Sequence, residues 1–168
     1  VITVIDEWSP EIGLMAHFNF ENEEDPGKDV SGNENNLQDE IVSLDAGIKG
    51  QALLLERDSR LRDSDGEFEL NTHSSFTWTA FIKTDDDGGL LGKSPEGWSP
   101  GSKAIFVREG VLGFDTGWIG DINGKAELID NEWHHVAIVV EAGEEEDVIT
   151  LYVDGNQDGF SDGMDMAW

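Results

Sequence analysis

DNEWHHVAIVVEAGEEEDVITLYVDG, residues 130–155, decides the fold. WHHVAIVV and DVITLYVDG are rich in β-branched and aromatic residues, which marks two strands. The segment EAGEEED, residues 141–147, lies between them and suits an exposed hairpin loop. Adjacent residues of a strand face opposite sides, so His134 and His135 cannot share a metal. One is expected to be packed or hydrogen-bonded, and the other exposed.

The same two-residue period recurs outward from this hairpin. In GLMAHFNF, Leu14, Ala16, Phe18 and Phe20 share a face, and in SSFTWTAFIK, Phe76, Trp78, Ala80 and Ile82 do the same. KAIFVRE and VLGF read as short strands around a turn at Gly110, and GIKGQALLLERD adds another strand. No helical period is sustained, and 20 glycines among 168 residues fit a turn-rich chain. Short strands at this spacing need two sheets to bury their apolar faces, which predicts an all-β, two-sheet antiparallel β-sandwich. Residues 21–40 and 85–102 read as polar loops, and GDINGK, residues 120–125, as a hairpin turn favoured by its Asn-Gly pair.

Composition narrows the function classes. Ten Lys and Arg stand against 37 Asp and Glu, for a formal net charge of -27. That charge opposes nucleic acid, anionic lipid and sulfated or uronic-acid polymers. With 38% hydrophobic residues, six Trp and eight Phe, the chain can still build a real core. There is no Cys, hence neither a disulfide framework nor a thiol site. No stretch approaches the length of apolar residues that a membrane span requires, and VITVIDEW at the start reads as a strand rather than an export signal.

In order along the chain, MAHFNFEN, DVSGNENN, GIKGQALLLE, FTWTAFIKTD, LLGK, DNEWHHVAIVV and ITLYVDG resemble a laminin G-like domain of the concanavalin A-like lectin/glucanase superfamily. The resemblance implies a jelly-roll sandwich and a non-catalytic module that binds carbohydrate or protein in extracellular, cell-surface or periplasmic space, often with structural calcium. Phe81 stands where the family usually has Trp, an exchange expected to cost some volume. Family members continue beyond YVDG with further strands, whereas this chain stops at Trp168. The sandwich edge is therefore expected to be completed by the N-terminal piece, by an unseen segment or by a partner chain. That need supports an alternative reading as an assembly module of a larger complex. The superfamily's glucanases carry carboxylates on alternate positions of one strand. ENEED and ELIDNE lack that spacing and read as loop acids, which argues against an enzyme.

Three groups of residues are candidate sites. DGNQDGFSDGMD, residues 154–165, places Asp154, Asn156, Asp158, the carbonyl of Phe160, Asp162 and Asp165 in a calcium-loop register with Gly159 at the turn. It resembles dockerin and thrombospondin type 3 calcium loops. This divides the chain into a sandwich over 1–153 and an acidic loop over 154–168 that closes the domain or starts a linker; the alternative is a solvated acidic turn. Asp29 with Ser31 and Asn33 forms a second oxygen-rich loop, open to calcium or to Asx-turns without metal. Trp98 and Trp118 are the candidates for stacking on a neutral sugar, with Asp115 and Asp121 beside Trp118 to accept hydroxyl hydrogen bonds. The alternative for each Trp is to seal an end of the sandwich.

Overall fold

The structure is a computed structural model that describes residues 13–39, 42–56, 59–63, 75–93 and 102–164. The chain divides into two compact units, Val1–Leu70 and Asn71–Trp168. In the first unit, β1 (Gln38–Asp39) pairs antiparallel with β4 (Leu61–Arg62), and β2 (Ser43–Ala46) with β3 (Gln51–Leu54). The β2–β3 turn closes through the Gly47 N–H donating to Gly50 O at 2.9 Å. Glu21 supports that turn, accepting from the Gln51 N–H at 2.9 Å. Residues 14–20 keep the expected alternation of exposure, but a single bridge, Phe18 to Asp29, replaces the expected strand. Phe20 has φ 58°, which ends the extended run, and the His17 N–H donates to the Asp29 carboxylate.

The second unit is the sandwich. Its strands are β5 (Phe76–Ile82), β6 (Gly88–Lys93), β7 (Lys103–Arg108), β8 (Val111–Asp115), β9 (Asp121–Asn123), β10 (His134–Glu141), β11 (Asp147–Val153) and β12 (Asn156–Met164). They form two four-stranded antiparallel sheets, ordered β12-β11-β10-β5 and β6-β7-β8-β9. This is an all-β, two-sheet antiparallel β-sandwich consistent with a concanavalin A-like jelly roll.

Period two decides what each strand buries. Ile105, Val107, Leu112, Phe114 and Ile122 from one sheet meet Val136, Ile138, Val140, Ile149, Leu151 and Val153 from the other. Phe76, Trp78, Ala80 and Ile82 of β5 pack against this core as predicted. The intervening residues form the outward faces. On the first sheet they lie in cross-strand rows: Thr77, Val139, Thr150 and Phe160; then Thr79, Ala137, Tyr152 and Gln157; then Phe81 and His135. On the second, the rows are Gly92, Ala104, Asp115 and Asp121, then Gly89, Phe106, Gly113 and Asn123.

Four expectations are corrected. Part of the 85–102 stretch is the strand β6, because Leu90 and Leu91 find the core among the glycines. Asn123 closes β9, and the Gly124 N–H donates back to Leu112 O at 2.8 Å. A Cβ at Gly124 would collide with the Asp158 carboxylate, so close packing explains this glycine better than a hairpin φ. Phe81 is 55% exposed and takes no core volume, so the exchange from Trp is free of cavity cost. Finally, most of the 154–165 stretch expected to wrap an ion is β12, paired to β11. The turn between them sets Asp154 at φ 49° and Gly155 at φ 77°, the geometry of a tight two-residue hairpin. The opening segment, residues 1–8, lies outside the described residues.

Leu128 reaches the core from a non-strand segment and is fully enclosed, with its N–H donating to Gly110 O at 2.8 Å. Leu128→Ala is expected to destabilise the chain by about 2–5 kcal/mol, since the sheets cannot collapse onto the cavity. Urea unfolding monitored by Trp fluorescence checks this.

Candidate functional site

Trp118 sits at the tip of the β8–β9 hairpin, on a single 3₁₀ turn over Gly117–Ile119, and is 74% exposed. The turn is firmly closed at its base. Both the N–H and the hydroxyl of the buried Thr116 donate to Gly120 O, each at 2.9 Å. The Gly117 N–H donates to Asp115 Oδ1 at 2.9 Å, and Gly117 has φ 81°, a conformation that favours glycine. These bonds leave the indole exposed at the hairpin tip.

Asp115 and Asp121 are direct cross-strand partners at the base of the same hairpin, so the sequence-predicted trio stands together. Burial pushes the Asp115 carboxyl above its ordinary value, and the nearby Asp121 adds to the rise against the Gly117 N–H, Arg108 and Lys103. Asp121 accepts from Arg108 Nη2 at 2.5 Å and from Asn123 Nδ2 at 2.9 Å. The Arg108 guanidinium also stacks over the Phe106 ring, 4.4 Å from its centre. The Phe106 ring in turn covers Gly113, where a Cβ would strike it. Beyond Phe106, Gly89 and Gly92 have open space where side chains would stand. The outward face thus combines a low glycine and alanine floor, an aromatic ring, and a wall of Asp115, Asp121, Asn123 and Arg108. Sequence reasoning missed Phe106 and Arg108, although the alternation in KAIFVRE already places them on one face. Trp98 lies outside the described residues.

Among the described residues, the expected calcium ligands of the 154–165 stretch are not brought together. In an extended strand each residue advances about 3.3 Å, so the expected ligands from Asn156 to Asp162 spread over roughly 20 Å and cannot converge on one ion. Asp158 instead accepts the N–H groups of Lys125 and Ala126 at 3.0 and 2.9 Å. Phe160 turns its ring outward on β12, and Asp165 lies outside the described residues. Asn156 donates through Nδ2 to the Asp154 carbonyl at 3.3 Å. Among the described residues no group of three or more His, Cys, Asp or Glu could hold a metal.

Asp29 is used in the same way. Its carboxylate accepts from the N–H groups of His17, Ser31 and Asn35 and from the Ser31 hydroxyl, at 2.7–3.1 Å. Four donors saturate two oxygens, which leaves the Asx-turn reading in place. Burial raises the Asp29 carboxyl, but those hydrogen bonds outweigh it and hold the group below its ordinary value. Asn33 donates through Nδ2 to the carbonyls of Leu14 and Met15, at 2.6 and 3.2 Å, and does not face a shared ion site with Asp29.

The two adjacent histidines diverge as their alternation requires. His135 meets Thr79 Oγ1 at 2.6 Å and packs edge-on against Phe81, 5.0 Å between ring centres. His134 places Nδ1 2.8 Å from Asp154 Oδ2 and Nε2 3.2 Å from Asp130 Oδ1. Ionised carboxylates only accept, so both ring nitrogens must carry protons for both bonds to form. The Asp154 bond therefore raises the His134 pKa, against partial burial and with help from Asp130, while His134 lowers that of Asp154. A raised histidine contributes stability fully below its unfolded pKa, near 6.5, and loses it as pH climbs through the folded value. Asp154 contributes above its unfolded pKa and loses its share as pH falls through the depressed one. The pair is thus strongest in mildly acidic solution. Wild type should lose stability from pH 5.5 to pH 8.5 by more than His134→Gln does, and an NMR titration should place His134 above 6.5.

Residues 58–167 match a laminin G family model of the concanavalin A-like lectin/glucanases superfamily. No curated protein matches the chain. Among solved structures, domains LG4-5 of the mouse laminin alpha1 chain align with 18% identity and a TM-score of 0.45. The alignment covers 58% of this chain and 25% of that one, so this chain spans about a quarter of the laminin structure. Because the family match takes in β4 through β12 and more than half of the sequence, the chain belongs to the concanavalin A-like lectin/glucanases superfamily.

Proposed function

We propose that the chain is a non-catalytic extracellular binding module that takes a neutral carbohydrate on the outward face of the β6-β7-β8-β9 sheet, beside Trp118. Its family and fold are typical of non-catalytic laminin G-like domains. The observation that carries the ligand class is the 74% exposed indole on a closed turn, flanked by two carboxylates. An exposed Trp offers a flat apolar surface to the C–H face of a sugar ring. Asp115, Asp121 and Asn123 supply the few convergent polar groups that orient such a ligand. With a formal net charge of -27, the chain would repel an anionic glycan of the same shape.

Loop order comes from carboxylates accepting backbone N–H groups, so calcium has no part in this reading. The test is a screen of neutral oligosaccharides, followed by calorimetry with a retained ligand. Trp118→Ala should weaken binding at least tenfold, about 1.4 kcal/mol, with an unchanged melting temperature. EDTA should leave both binding and melting as they were. Retention of no neutral glycan, or equal binding by Trp118→Ala, would overturn the proposal, and binding abolished by EDTA would return calcium to the site.

A further inference from the structure

The outward face of the β12-β11-β10-β5 sheet carries a different chemistry. Its three cross-strand rows hold no Asp, Glu, Lys or Arg, although 28% of the chain is charged. Phe81 and Phe160, 55% and 51% exposed, stand at opposite corners of this face, with Tyr152 on the diagonal between them. Strand spacing and rise put the two phenyl rings about 20 Å apart. Threonine, valine, alanine, Gln157 and His135 fill the rest. Ala137 and Thr150 are buried at the centre of this face and Val139 and Tyr152 half-buried, so the exposed apolar surface lies at the two phenyl rings, and an uncharged face that carries two such rings marks an interaction surface.

Its borders select the partner. At one end stand Glu141 and Asp162, with Glu144 and Glu145 in the connector beyond them, all exposed. At the other, Asp130, Glu132 and Asp154 outnumber Lys83, which follows two residues after Phe81, and His134, which bridges Asp130 and Asp154. A second copy would bring the same acids against these borders, and like charges across a contact are costly. A sugar would find no carboxylate in the three rows to accept its hydroxyl hydrogen bonds. We infer that this face docks a protein partner whose contact strip is apolar at its centre and carries Lys or Arg at both ends. Electrostatic complementarity at the ends sets orientation and association rate, and the two phenyl rings supply the anchors.

The probe is a phage-displayed library of random 12-residue peptides, panned against the full chain in 0.15 M NaCl. Counter-selection uses the double variant Phe81→Thr, Phe160→Thr, whose substitutions lie on the surface and suit a strand. Enriched peptides should pair an apolar centre with basic ends, bind the double variant at least tenfold more weakly, and bind Trp118→Ala as they bind wild type. Raising NaCl to 0.5 M should weaken them further. No enrichment over the counter-selection, enriched peptides without basic ends, or equal binding to the double variant would each overturn the inference. Sedimentation velocity supplies a second readout. A wild-type dimer abolished by the double variant would assign the face to a second copy and overturn the heterologous partner; a monomer is the expected result.

Discussion

Carboxylate oxygens that accept backbone N–H groups hold the connections of this protein in place. Asp29 gathers three such donors, Asp158 two from the Lys125–Ala126 segment, and Asp87 two from the Glu109–Gly110 turn. Asp115, Asp130, Asp147 and Asp154 each fix a turn or a strand end in the same manner. Hydrogen bonds to an ionised acceptor are stronger than neutral ones. Each also places a negative charge where the chain must bend, which keeps it out of the inter-sheet core. A chain with so large an acidic excess thus turns part of its self-repulsion into local order, and the inter-sheet core is left to apolar side chains.

Much of the fold was legible in the sequence because alternation is a direct consequence of strand geometry. The β10–β11 hairpin, the inward set on β5 and the turn at Gly110 all follow from it. Alternation was weaker where glycine carries no hydropathy. β6 and β12 contain Gly88, Gly89, Gly92, Gly159 and Gly163, and both looked like loops for that reason. From 154 to 162 the calcium register sets its ligands at every second position, which a strand satisfies as readily as a loop does. Residue type alone could not say which, because the deciding fact is a distant one: Asp158 is occupied by amides more than thirty residues away. The Trp118 site was readable in its aromatic ring and both acids, whereas the glycine floor that makes room beside it depended on pairings among three further strands.

The two sheets divide the surface by chemistry. One presents hydrogen-bonding groups around an indole, and the other presents a methyl- and phenyl-bearing face without charges. Because the two faces look away from each other across the shared core, occupation of one does not obstruct the other. Substitutions on either can therefore be read independently.

The last consequence concerns β12. Among the described residues it is an outer strand of its sheet, and its pairing with β11 is interrupted by two register shifts. Bulges twist a strand away from a flat template, and charged residues deter the approach of another backbone. Asp158 and Asp162 supply such charges along the same strand. This strand is thereby poorly suited to templating cross-β stacking along its own edge.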